Sequence, residues 1–166
     1  MKRAVVAVIG YGNPSRGDDA IGPCLLDLLT EYREDLQQHY EAITDFQLQI
    51  EHVTDLQQRE LLLFVDASVS APAPFGFSRL TPQRDHSYSS HSLSPATLLS
   101  VYTEVYKVTP PPAYLLAIPG YRFELGTPLS HQAAGHLEQA VDFVRALLDR
   151  PDVAFWDAKV DWVANP

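Results

Sequence analysis

The strongest constraint on the fold is the run of apolar, largely β-branched residues at positions 4–9, Ala-Val-Val-Ala-Val-Ile, which stops at Gly10-Tyr-Gly-Asn-Pro14. A strand without a polar face has to be covered on both sides, which is the situation of a central strand in a parallel sheet. Leu61-Leu-Leu-Phe-Val65 repeats the pattern and ends at Asp66, and residues 113–118 form a further strand after three prolines. Helical periodicity fills the intervals. Residues 20–38 place Ile21, Leu25, Leu28 and Leu29 on one face, with Pro23 confined to the first turn. Ser94 caps a helix running to Tyr106 with Leu98, Leu99 and Val105 as its apolar face, and Ser130 opens another over 131–148 with Leu137, Val141, Val144 and Leu148. Residues 46–52 alternate apolar and polar, predicting a strand nearer an edge; 55–60 predict a short helix, 75–80 a further strand, and 81–92 a polar loop. Strands alternating with helices predict a three-layer α/β domain around a mainly parallel sheet.

With 166 residues there is material for one domain, placed at 1–150, and a tail at 151–166 that carries both tryptophans, Trp156 and Trp162, and either docks or stays loose. A net charge of -9 argues against a nucleic-acid partner, whose phosphates call for clustered Lys and Arg. The single cysteine, Cys24, excludes an internal disulfide and reads as a core thiol on the first helix, which fits a cytoplasmic protein. The positive start at Lys2-Arg3 resembles a secretory signal, but the apolar run is short and no small-residue cleavage pattern follows. No segment approaches the ~18 apolar residues of a membrane-spanning helix, so no membrane partner is expected.

In a parallel sheet, ligands gather at the carboxyl ends of the strands, and this rule singles out the loop Gly10-Tyr-Gly-Asn-Pro-Ser-Arg-Gly-Asp-Asp19. It is not a dinucleotide fingerprint: Ser15 stands where a third small residue belongs, and the next expected strand begins too late to supply the ribose-binding acid. Nor is it a phosphate loop, since Asp18 and Asp19 occupy the places of Lys and Ser or Thr and would repel a polyphosphate. Two adjacent acids here suit either a helix cap or a cation. Asp66 ends the second apolar run and should emerge on the same edge, although an Asp there can also close a strand through local backbone bonds. Of six histidines, His39 and His136 fall on expected helices and His131 on a first helical turn; His52 ends the expected second strand, and His86 and His91 lie in the polar loop. Two carboxylates and one imidazole make a mixed O/N set suited to zinc, nickel or a similar divalent ion. His-Glu-x-x-His and Gly-x-Ser-x-Gly signatures are absent.

Three pieces of sequence, in order, carry a family resemblance: Gly10-Tyr-Gly-Asn-Pro-Ser-Arg-Gly-Asp-Asp-Ala-Ile-Gly22, Phe64-Val-Asp-Ala67 and Ser90-His-Ser-Leu-Ser94. Together they resemble the [NiFe]-hydrogenase maturation proteases. The resemblance implies an α/β/α sandwich with a mostly parallel twisted sheet, and an endopeptidase that removes the C-terminal extension of a hydrogenase large-subunit precursor after nickel insertion. It implies that Asp19, Asp66 and His91 contact the metal and carry catalysis, with Gly12, Asn13, Asp18 and His52 binding substrate or supporting the ligands. Nickel would come with the precursor, no tightly bound cofactor is expected, and the enzyme would be a monomer by analogy. Asp19 takes the place of a Glu found in some members, and Gln49-Ile-Glu-His-Val-Thr-Asp55 stands where many have an Asp-Gly-Gly-type turn. The stretch 46–52 resembles the subgroup serving soluble, NAD-reducing hydrogenases. A non-catalytic nickel-site chaperone of the large subunit is the alternative.

Overall fold

The computed structural model describes residues 3–31, 40–84 and 93–164. Five strands form one sheet: β1 (Val6–Tyr11), β2 (Tyr40–Asp45), β3 (Leu61–Ser68), β4 (Gly76–Leu80) and β5 (Ala113–Pro119), in the order β2-β1-β3-β5-β4. All neighbours run parallel except β4, which is antiparallel to β5. Helices α1 (Ile21–Glu31) and α3 (His131–Asp149) cover one face with the short α4 (Val153–Lys159). Helix α2 (Pro95–Tyr106) covers the other with a 3-10 helix at Ile50–Leu56.

The two apolar runs became the sheet centre for the expected reason: every residue from Val6 to Ile9 and from Leu61 to Val65 is buried, and alternate side chains feed the core on opposite faces. Ser94 and Ser130 cap α2 and α3 by accepting from Thr97 N at 3.1 Å and Ala133 N at 3.2 Å.

Several expectations are corrected. The second strand is Tyr40–Asp45, in parallel register with β1 from Val6↔Tyr40 to Tyr11↔Asp45, so residues 46–52 lie beyond it. Their alternation would have buried Phe46, Leu48 and Ile50 together; Leu48 alone is buried, while Phe46 is 66% and Ile50 58% exposed. The short helix is the 3-10 helix Ile50–Leu56 rather than 55–60, and His52 lies within it. The first helix begins one residue later than expected, after a 3-10 turn at Gly17–Ala20, and is described to Glu31. On α2, Val105 is 54% exposed and Tyr102 takes the buried position. Of the two alternatives for the segment after Pro151, docking is the one found: α4 seats Trp156, fully buried, in the same core cluster as α3.

Candidate functional site

Strand order decides where the site forms. From β1 the chain goes outward to β2 and then returns to the far side of β1 as β3, so the loops leaving β1 and β3 open a crevice at their carboxyl ends. Gly10 pairs with Val65, and one residue further along come Tyr11 and Asp66. The start of α1 lies directly on this seam. A Cβ on Gly22 would stand 2.9 Å from Tyr11 N, Tyr11 O and Val65 O, so only glycine lets helix and strands approach this closely.

The loop after β1 folds over its own end. Gly12 has φ 149°, and a Cβ there would lie 1.9 Å from Asp19 O. The close approach brings Asn13 N to 2.7 Å from Asp19 Oδ2, while Asn13 Oδ1 accepts from Ser15 N at 2.9 Å. Gly12 and Asn13 therefore hold the Asp19 carboxylate through the loop backbone.

Asp18 and Asp19 divide sharply. Asp18 is fully buried: Oδ2 accepts from Tyr121 N, Arg122 N and Ser130 Oγ, and Oδ1 from Ser130 N, at 2.7–3.1 Å. Burial pushes its pKa up, but these donors outweigh it and hold the carboxyl below its ordinary range. Asp18 is a strut that locks the glycine loop to residues 120–130. Backbone bonds reinforce it, from Gly17 N to Thr127 O, Asp18 N to Arg122 O and Gly126 N to Ser15 O.

Asp66 lies within reach of the charge of Asp19. Burial raises the Asp66 pKa to about 7; the Tyr11 hydroxyl and the Ala67 N–H oppose that shift, and the charge of Asp19 adds to it. Tyr11 is itself pushed well up by burial and then by the charges of Asp66 and Asp19. The charge of Asp19 thus adds to the cost of ionising Asp66 in this half-buried crevice, a conflict that a bound cation would relieve. Carboxylates suit a divalent ion, so the pair fits a metal contact.

His52 is placed differently. Its Nδ1 accepts from Gln49 N at 2.8 Å and its Nε2 lies 3.3 Å from Asp45 Oδ2, so both ring nitrogens are engaged. Since Asp45 O accepts from Gly12 N, His52 braces the glycine loop from β2 and presents no free nitrogen. His136 meets the Tyr121 hydroxyl at 2.9 Å, and His131 is exposed on the first turn of α3. His91 lies outside the described residues, as do His39 and His86. Among the described residues, no group of three His, Cys, Asp or Glu side chains could hold a metal.

Residues 120–129, which carry Gly120 and Gly126, follow β5 at the same sheet edge and lead to the helix cap Ser130; no sequence motif tied them to the site. The strand-end rule that selected Asp66 selects them too.

No protein-family model matches the chain. No curated protein matches it by sequence. Solved structures do share the fold. The [NiFe] hydrogenase maturation protease HycI from Thermococcus kodakarensis KOD1 superposes with a TM-score of 0.68 at 20% identity, over 87% of this chain and 92% of that one. The hydrogenase maturating endopeptidase HybD from E. coli gives 0.68 at 23% identity, over 88% and 93%. A hydrogenase 2 maturation peptidase from Thaumarchaeota archaeon SCGC_AB-539-E09 gives 0.61 at 24% identity, over 86% and 97%. At these identities the likeness establishes a common fold, a five-stranded, mostly parallel sheet with helices on both faces.

Proposed function

We propose that this chain is an endopeptidase that removes the C-terminal extension of a [NiFe]-hydrogenase large-subunit precursor once nickel has been inserted. The observation that carries the reading is the convergence of Asp19 and Asp66 at the β1–β3 crevice, on a fold shared with proteins described as hydrogenase maturation endopeptidases. In this reading the two carboxylates, with His91, which precedes α2 in the sequence, complete the coordination of nickel carried by the substrate. Gly12, Asn13 and Asp18 fix the loop that holds Asp19, and His52 braces it. Bound nickel would supply Lewis acidity and a positional mark for the scissile bond. What the chain itself does is bind and orient: Asn13 N holds one oxygen of Asp19, and the Tyr11 hydroxyl supports Asp66.

A polypeptide substrate is supported by exposed apolar side chains on the loops leaving the same sheet edge. Phe46 and Ile50 follow β2, Val69 follows β3, and Tyr121 and Leu125 follow β5. The stretch 46–52 supports a soluble, NAD-reducing hydrogenase as the one served. No described helix is long and apolar enough to cross a membrane, and the reading places the enzyme in the cytoplasm as a monomer with no resident cofactor.

The test is incubation of the purified chain with nickel-loaded and nickel-free precursor. Shortening of the nickel-loaded subunit alone is expected, and its loss in Asp19→Asn, Asp66→Asn and His91→Ala. Binding without shortening would replace the protease by a nickel-site chaperone, and the absence of both would overturn the reading.

A further inference from the structure

The sheet has two edge strands, and the chain treats them differently. The edge at β4 is closed. Asp161 N and Trp162 N donate to Phe77 O at 3.0 and 3.2 Å, and Asp161 Oδ1 accepts from Phe77 N at 3.0 Å. The Trp162 ring packs on Gly76, where a Cβ would meet it at 2.5 Å. The edge at β2 is open. The bond from Gly12 N to Asp45 O sets the phase of the β1–β2 ladder: Glu41, Ile43 and Asp45 turn their N–H and C=O groups to β1, and Ala42 and Thr44 turn theirs outward. Ala42 and Thr44 are both exposed, and no described group bonds to their outward N–H or C=O.

An open strand edge is a liability that chains ordinarily blunt with Lys, Pro, a bulge or a covering segment. β2 uses none of these among the described residues. Its sequence Tyr-Glu-Ala-Ile-Thr-Asp has neither Lys nor Pro, and its register with β1 runs unbroken from Val6↔Tyr40 to Tyr11↔Asp45. Its two acids are engaged elsewhere, Glu41 with Arg59 and Asp45 with His52. Position gives the open edge its use. β2 is parallel to β1, so it ends on the same side of the sheet as the β1–β3 crevice, and Asp45 O holds Gly12 N of the glycine loop. Adjacent strands lie about 4.8 Å apart, so a strand laid on β2 would run about 10 Å from β1 and about 14 Å from β3. Roughly three or four extended residues of about 3.3 Å each cross that gap. Phe46, 66% exposed, stands just past the edge and offers the crossing an apolar surface.

We propose that the open edge of β2 takes an extended segment of the substrate polypeptide as an added strand, paired to Ala42 and Thr44, and so delivers the bond to be cut to the β1–β3 crevice. The occupant rests on the endopeptidase reading; the docking mode rests on the edge itself. Donors and acceptors repeating at every second residue match the backbone of an extended chain, whatever its side chains, and no small molecule satisfies them at that repeat. A second copy of this chain is the competing occupant, since open edges also pair with one another.

Proline tests the pairing selectively, because at positions 42 and 44 it deletes an outward N–H and no bond to β1. Ala42→Pro and Thr44→Pro should each raise KM for nickel-loaded precursor about fivefold, as loss of one hydrogen bond does, with little change in kcat. In parallel, amide exchange of the ¹⁵N-labelled wild-type chain is followed with a synthetic peptide spanning the precursor's C-terminal extension and the residues before it. The Ala42 and Thr44 amides should exchange about tenfold more slowly, or slower still, at saturating peptide. If wild type shortens the precursor while both amides stay unprotected, or both folded proline variants keep the wild-type KM, strand addition is overturned and the endopeptidase reading stands. Protection without shortening keeps the added strand and overturns the endopeptidase reading; neither protection nor shortening overturns both. Protection that grows with protein concentration and needs no peptide assigns the edge to a second copy and overturns the proposal.

Discussion

Asp18 and Asp19 are neighbours with the same side chain, and their surroundings give them separate tasks. Four donors converge on the buried Asp18, so replacing it removes an acceptor and strands those donors together. Asp18→Ala is expected to destabilise the fold by about 2–3 kcal/mol, read as a lower urea midpoint, because hydrogen bonds to a buried charge are lost and their partners left unsatisfied. Asp19 has one backbone donor and partial exposure, so Asp19→Asn should fold normally and fail in processing instead. Tyr11→Phe separates support from contact. It keeps the ring in the core and removes the hydroxyl that faces Asp66, and should slow processing about tenfold with stability nearly unchanged, as loss of a group that orients a metal-contacting carboxylate does. A Tyr11→Phe enzyme processing nickel-loaded precursor at the wild-type rate in a time course would remove Tyr11 from the site.

At the scale of elements, the crevice exists because α1 can sit on the ends of β1 and β3. Gly22→Ala puts a methyl group 2.9 Å from three backbone atoms of those strands, which cannot move without opening the sheet. A loss of about 1–3 kcal/mol is expected from this overpacking, with a fall in processing as Asp19 and Asp66 separate; thermal unfolding and the precursor assay check the two parts. Which elements the sequence announced follows from how local their causes are. The all-apolar runs of β1 and β3 admit one environment, and the caps at Ser94 and Ser130 need only residues three positions apart. Asp66 was legible because it ends such a run, and Asp19 because it lies in the glycine loop that leaves one. The stretch 46–52 misled because its alternation is real but its pairing partner was already taken: β1 accepts Tyr40–Asp45, and Gln49 and His52 close a capping box that turns the chain. The bonds from Asp18 to residues 120–130 span more than one hundred positions, and no local pattern records them.

At the scale of the whole molecule, the segment after Pro151 closes the core. Trp156 is fully buried, donates from Nε1 to Leu147 O and Arg150 O, and meets Phe77 and Tyr114 edge-on. Asp157, on the same helix, accepts from the Tyr114 hydroxyl at 2.6 Å and from Arg79 at 2.8–2.9 Å, while Asp161 Oδ1 accepts from Phe77 N on the outer edge of β4. Trp156→Ala is expected to cost about 3–5 kcal/mol, a large part of the ~5–15 kcal/mol that holds a domain of this kind together. The clasp also has a pH signature. The Tyr114 bond, opposed by some burial and helped by Arg79, holds the Asp157 carboxyl below its ordinary value of 3.8, while Tyr114 is pushed above its ordinary 10.0 by burial and then by the Asp157 bond. A lowered carboxyl contributes stability that is present above 3.8 and lost as pH falls through the lowered value. A raised phenol contributes stability that is present below 10.0 and lost as pH rises through the raised one. Asp157→Asn should therefore be less stable than wild type at neutral pH, and the gap should narrow as pH drops below 3.8, where the wild-type carboxyl also becomes neutral. Urea unfolding of both proteins across that range is the measurement. A gap that stays constant through the acid limb would mean that Asp157 fastens the helix by packing, and that its charge contributes nothing to closing the core.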